Sequence, residues 1–105
     1  MFDMYKYDFW AKLLKLKNEV PAFKKELKAG RIKGSAYEGE CSCFCGTMGK
    51  IKQMPYNKLP GVKADASSPT EQWFMMIYKG DTPENSEVAK LTMAWIEEFE
   101  MYLKA

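Results

Sequence analysis

The chain has no histidine. That removes the side chain most used as a general base near neutral pH and as a metal ligand, so any nucleophile would need activation by a carboxylate, a lysine or a helix N-terminus. No phosphate-binding glycine loop is present either, because Gly46, Gly49 and the following Lys50 lack its spacing. Cysteine is scarce and clustered: Cys41, Cys43 and Cys45 are the only three, an odd number that builds no disulfide framework. No apolar run approaches the roughly 18 residues of a membrane span. The N-terminus, with Asp3 and Asp8 among its aromatics, lacks the basic, apolar, small order of a secretory signal. These absences lead to the expectation of a non-catalytic, cofactor-free protein of the reducing cytoplasm, with no membrane partner.

What is present fits one domain of 105 residues, 1–105, with residues 1–22 as an aromatic and basic N-terminal extension packed on it. From Cys41 to Gly49 there is no charged side chain, although more than a quarter of the chain is charged. Taken as a helix, Cys41, Phe44, Cys45, Met48 and Ile51 share an arc, and Ser42, Cys43, Gly46 and Gly49 leave the other sides open to close approach. This segment is expected to be the hub.

The remaining periodicity predicts an all-α, compact bundle of four to five helices around that small-residue, Cys-containing central helix. Phe9, Leu13, Leu16, Val20, Phe23 and Leu27 recur at three- and four-residue spacing after Asp8, a candidate N-cap, and keep their phase across Pro21. The expected helices run over about 8–29 with a break at Pro21, then about 38–52, 69–79 and 83–103. Ser68-Pro69-Thr70-Glu71 and Thr82-Pro83-Glu84 are the start signals of the last two. A strand from Trp73 to Lys79 competes with the third helix. Between Gln53 and Ser68 the prolines and serines predict irregular chain, pinned by Tyr56, Leu59 and Val62 or else functional. The core is expected from Leu13, Leu16, Val20, Phe23, Leu27, Cys41, Phe44, Cys45, Met48, Trp73, Phe74, Ile77, Val88, Leu91, Trp95 and Phe99. On the last helix Thr92, Ile96, Tyr102 and Leu103 share the apolar arc.

Three kinds of site are open to this inventory. The eight methionines and fifteen aromatics exceed the needs of one small core. Tyr5, Trp10, Leu14, Met75, Met76, Met93 and Met101, with Met4, fall off the apolar arcs and suit a protein-binding surface or self-association. Alternatively, Lys12, Lys15, Lys17, Lys24, Lys25, Lys28, Arg31 and Lys33 form a basic N-terminal helix surface for nucleic acid or a nucleotide, beside Tyr5, Tyr7 and Trp10. Residues 1–34 hold nine Lys or Arg against four acids, and residues 64–105 hold three against eight. Such a gradient also arises if the two ends of the chain simply pack side by side. Third, Cys41, Cys43 and Cys45 form a weak metal candidate. In a helix Cys43 points away from the other two, and no second ligand pair exists to complete a tetrahedral site.

Several strings carry a resemblance: Gly34-Ser35-Ala36-Tyr37-Glu38-Gly39-Glu40-Cys41, Leu59-Pro60-Gly61, Ser68-Pro69 with Glu71-Gln72-Trp73-Phe74, Gly80-Asp81-Thr82-Pro83-Glu84-Asn85, and Trp95-Ile96-Glu97-Glu98-Phe99. Over roughly residues 23–100 the chain resembles an uncharacterised domain of bacterial and phage proteins, sometimes found beside pentapeptide repeats. The resemblance implies a fold unit and a mobile-element setting, and brings no activity or catalytic residue with it. Pentapeptide repeats are missing from this chain, and residues 1–22 look like an addition particular to it.

Overall fold

The computed structural model describes residues 2–35, 43–63, 65 and 67–104. Five α-helices make up the fold: α1 (Asp3–Lys15), α2 (Val20–Lys28), α3 (Phe44–Lys52), α4 (Pro69–Phe74) and α5 (Glu87–Lys104). Short 3-10 turns occupy Lys17–Glu19 and Tyr56–Lys58, and no strand occurs among the described residues. The competing strand at Trp73 is therefore not formed. Among the described residues no helix is long and apolar enough to cross a membrane.

The apolar phase read across Pro21 is the phase that is buried: Phe9, Leu13, Leu16, Val20, Phe23 and Leu27 all lie in the core. The break falls earlier than Pro21, in the Lys17–Glu19 turn, which leaves Pro21 in the first turn of α2, where its missing N–H costs nothing. The helix also begins earlier, at Asp3, so Asp8 is no N-cap of α1. Its carboxylate instead crosses to α4, where Oδ2 accepts from the Thr70 N–H at 3.0 Å and the Thr70 hydroxyl at 2.6 Å.

The hub expectation holds, with shorter bounds. Helix α3 starts at Phe44, with Cys43 as an extended N-cap, and every residue from Phe44 to Gly49 is buried. Cys41 lies outside the described residues. The helix closes through Gln53, in the left-handed region at φ 57°, with the Met54 N–H donating to the Gly49 carbonyl. A Cβ on Gly49 would sit 2.9 Å from the Met54 carbonyl oxygen, so only glycine lets the exiting chain lie on the helix.

Four phenylalanines, one from each of α1 to α4, close around one another: Phe9, Phe23, Phe44 and Phe74 make every pairwise contact, at centroid separations from 5.3 to 6.4 Å. All four are fully buried. Edge-to-face and tilted pairs at this spacing add about 0.5–1.5 kcal/mol each beyond area burial. A second group joins α4 to α5 and α1, with Trp73 against Trp95 at 4.6 Å, Tyr5 at 5.5 Å and Phe2 at 5.3 Å. The Trp73 indole donates to the Thr92 hydroxyl at 2.8 Å, which donates on to the Val88 carbonyl at 2.7 Å, so a buried indole and a buried hydroxyl satisfy each other.

Helix α4 stops at Phe74, short of the expected end near 79. Gly34 presses its backbone against this end: a Cβ there would fall 1.7 Å from the Phe74 carbonyl oxygen. The Gly34 N–H donates to Ile77 at 3.1 Å, and the Tyr78 N–H, which would continue the helix, donates to Asp81 instead. Segment 30–34 thus runs beside 77–80, with the Gly80 N–H donating to Gly30 at 2.9 Å. Helix α5 starts at Glu87 and not near 83. Asn85 folds back to accept from the Thr82 N–H, and Ser86 caps the helix by accepting from the Ala89 N–H.

Candidate functional site

The acidic α5 lies along the basic helices of the N-terminal half. Lys6 pairs with Glu98 at 2.8 Å and Lys24 with Glu100 at 2.8 Å, so part of the charge gradient along the sequence is neutralised inside the fold. Lys12 pairs with Asp8 at 2.6 Å, and Arg31 with Glu26 through its Nε at 3.0 Å. Of the expected basic surface, Lys15, Lys17, Lys25, Lys28 and Lys33 stand exposed. Lys15 ends α1, Lys17 lies in the Lys17–Glu19 turn, Lys25 and Lys28 are in the last turn of α2, and Lys33 follows it.

The cysteines are interior groups. Cys43 and Cys45 are buried at the N-terminal end of α3, against the Glu71 side chain. Burial pushes the Cys43 thiol up to about 12, with the adjacent Glu71 charge adding to it, and the same two causes raise Cys45 further. Thiols held protonated in this way are poor nucleophiles. The Cys45 Sγ–H donates to the Lys63 carbonyl at 3.8 Å. Glu71 is only 3% exposed; burial raises its carboxyl, and hydrogen bonds from the Cys43 thiol and the Cys45 N–H pull it part of the way back. Its Oε1 has no hydrogen-bond partner among the described residues. Also among the described residues, no three His, Cys, Asp or Glu side chains are arranged to hold a metal ion.

The expected protein-binding residues separate into three groups. Met93 is buried at 6% exposure, which corrects its placement on the surface. The buried stripe of α5 runs through Ala89, Thr92, Met93, Trp95, Ile96 and Phe99, rotated from the arc read off the sequence, so Met93 turns inward while Tyr102 and Leu103 stay outside. Met75 and Met76 are exposed just beyond α4, and Tyr5 is half-buried against Trp73. Trp10 and Leu14 belong to a surface where aromatic side chains of α1 and α5 meet, and Met101 is exposed near the end of α5.

That surface is the seam between α1 and the end of α5. Trp10 anchors it: its indole N–H donates to the Trp95 carbonyl at 3.0 Å, and its ring meets Phe99 at 6.0 Å below and Tyr7 and Tyr102 at 5.7 and 5.6 Å at the rim. Lys6 Nζ stands 4.7 Å from the Trp10 ring centroid while its other side holds Glu98, which fixes the ammonium over the aromatic face. Tyr7 is 57% exposed and Tyr102 64%. Leu14 follows Trp10 by four residues and Tyr7 by seven, on one face of α1, and is exposed. On α5, Met101 and Leu103 flank Tyr102 and are exposed as well. Tyr7 was legible in the sequence as the start of a 7, 10, 14 stripe on the polar side of α1. Tyr102 was not, because only the docked helix shows that its last turn runs past the core.

Family models, curated proteins and solved structures were all compared with this chain, and none matches it.

Proposed function

We propose that this is a non-catalytic binding protein that acts through a protein–protein interface centred on the α1–α5 seam. The observation that carries this reading is Trp10, half-buried and hydrogen-bonded to the Trp95 carbonyl, with exposed Tyr7 and Tyr102 against its ring and exposed Leu14 on the same face of α1. Large side chains held rigid from below contribute contact area at low entropic cost, and Trp and Tyr in such settings are the usual binding hot spots. The protonated thiols and the pairing of Lys6 and Lys24 with α5 weigh in the same direction. The resemblance to phage and bacterial domains supplies the setting: a cytoplasmic, mobile-element protein that occludes a host protein.

The competing reading is nucleic-acid or nucleotide binding through the basic surface, favoured by the exposed Lys25, Lys28 and Lys33. Affinity capture from host extract separates the two. The variant Tyr7→Ala/Leu14→Ala/Tyr102→Ala is expected to lose the captured protein while retaining its fold by circular dichroism. Lys25→Glu/Lys28→Glu/Lys33→Glu is expected to keep it. Capture of nucleic acid that disappears only in the lysine variant would reverse the assignment. Sedimentation of both variants identifies the case in which the partner is a second copy.

A further inference from the structure

Helix α1 is apolar on two faces. Phe9 and Leu13 turn into the core. On the opposite side Met4, Tyr7 and Leu14 are 63%, 57% and 56% exposed, and Ala11 between them is exposed too. Their spacing of three, four and three residues is that of a coiled-coil seam, and at 100° per residue the four fall within an arc of about 80°. The outer face of a surface helix ordinarily carries its charges. Here the charges stand aside: Lys6 turns to Glu98 on α5, and Asp8 and Lys12 pair with each other beside Thr70 of α4. The two that remain lie at the ends, Asp3 in the first turn and Lys15 in the last.

A second copy of this face complements the first. In an antiparallel pair related by a two-fold axis midway between Tyr7 and Ala11, each Tyr7 ring lies opposite the other copy's Ala11, and each Met4 opposite the other copy's Leu14. Large thus meets small at the centre, twice, as close packing requires. The charges agree with this direction. Asp3 puts an acid at the positive end of the α1 dipole and Lys15 a base at its negative end, so antiparallel copies set the acidic end of one beside the basic end of the other. Parallel copies would stack Tyr7 on Tyr7, leave a gap at Ala11 and bring like charges together at both ends. The same surface continues through Trp10 onto exposed Tyr102 of α5.

We infer that the occupant of this surface is a second copy of the chain, with the two α1 helices packed antiparallel through Met4, Tyr7, Ala11 and Leu14. The inference rests on the reading of the seam as a protein interface and names its partner. From Met4 to Leu14 the stripe runs only about 15 Å. Such a contact is small beside the roughly 800 Å² per partner of a standard interface, which sets the expected dissociation constant at about 10–100 µM.

The test is sedimentation velocity of the full chain between about 5 µM and about 1 mM, which brackets that range. Monomer is expected at the low end and dimer at the high end. Ala11→Lys is expected to raise the dissociation constant at least about tenfold with an unchanged melting temperature, because the position is exposed and lysine is a good helix former. Direction is read by mixing Met4→Cys and Leu14→Cys copies under mild oxidation, with the parent chain as the blank. The mixture is expected to form a disulfide-linked pair more readily than either variant alone. A chain still monomeric at about 1 mM overturns the inference, as does a dimer that Ala11→Lys leaves unchanged, or one in which Met4→Cys links to itself more readily than to Leu14→Cys. If that monomeric chain captures a host protein and loses it in the Tyr7, Leu14 and Tyr102 variant, the inference falls and the reading of the seam stands. A monomeric chain that captures nothing removes both.

Discussion

Two aromatic groups in this protein are built from similar side chains and are used differently. Phe9, Phe23, Phe44 and Phe74 contact one another on every side and expose nothing, whereas Tyr7, Trp10 and Tyr102 are closed from below by Phe99 and open above. The difference follows from what surrounds each group. Four helices converge on the phenylalanines, and Gly49 lets the exiting chain lie close against α3. Among the described residues two helices, α1 and α5, meet at the seam, and Met101, Tyr102 and Leu103 at the end of α5 are exposed. A closed aromatic group contributes chiefly to stability, and an open rigid one is available to a partner.

The closed group sets the largest expected effect. Phe44→Ala removes the ring that touches the other three and is expected to cost about 4 kcal/mol, read from the urea midpoint at constant m-value. A loss below about 1 kcal/mol would mean that the interior collapses around the cavity and that the two regions differ less than their contacts imply. Gly34→Ala is expected to follow closely. Its methyl would overlap the Phe74 carbonyl, so segment 30–34 must leave α4, at a cost of at least about 3 kcal/mol. Gly80→Ala is the control, with open space around its Cβ, and is limited to the strain of its φ of +90°.

Two carboxylates, Asp8 and Glu71, are expected to respond to pH with opposite sign. Burial alone would push Asp8 up, but hydrogen bonds from Lys12 and Thr70 outweigh it and hold it below its ordinary value. Its contribution is therefore present above the unfolded carboxyl range and is lost as pH falls through the folded value. Asp8→Ala should cost about 1–2 kcal/mol at neutral pH, by the loss of a cap on α4, and less in acid. Glu71 is raised, so its contribution is complete below the unfolded value and is lost as pH rises through the folded one. Glu71→Gln is accordingly expected to gain on the parent protein as the buffer goes from pH 4.5 to pH 7. Denaturation midpoints across that range check both signs, and parallel profiles for parent and variant would remove the assignment. The smallest stability effects belong to the seam. Tyr7→Ala and Tyr102→Ala should each cost less than about 1 kcal/mol while abolishing partner binding. A loss of stability as large as that of Phe44→Ala would show that the seam serves packing after all.

Much of the interior was legible because it rests on periodicity. The spacing from Phe9 to Leu27 identified the buried face of α1 and α2 before any neighbour was known, and the uncharged run after Cys41 marked the element that others surround. Errors fell where a distant segment competes with a local signal. Pro69 and Ser68 announced the start of α4, but its end is set by Gly34, some forty residues earlier in the chain. Asp8 has the chemistry of an N-cap and caps a different helix. Met93 and Tyr102 changed places because an arc of about 140° on a helix wheel does not say which edge of it meets the core.

The sequence alone therefore determined the helical class, the buried stripe of α1 and α2 and the central place of the cysteine segment, since local spacing and side-chain solubility decide these without reference to partners. The tertiary structure decided where helices end, which lysines are neutralised, how far the thiols are held protonated and which aromatics stay exposed. Each of those depends on contacts between residues far apart in the chain, and the free energy of such a contact exists only once both sides are in place.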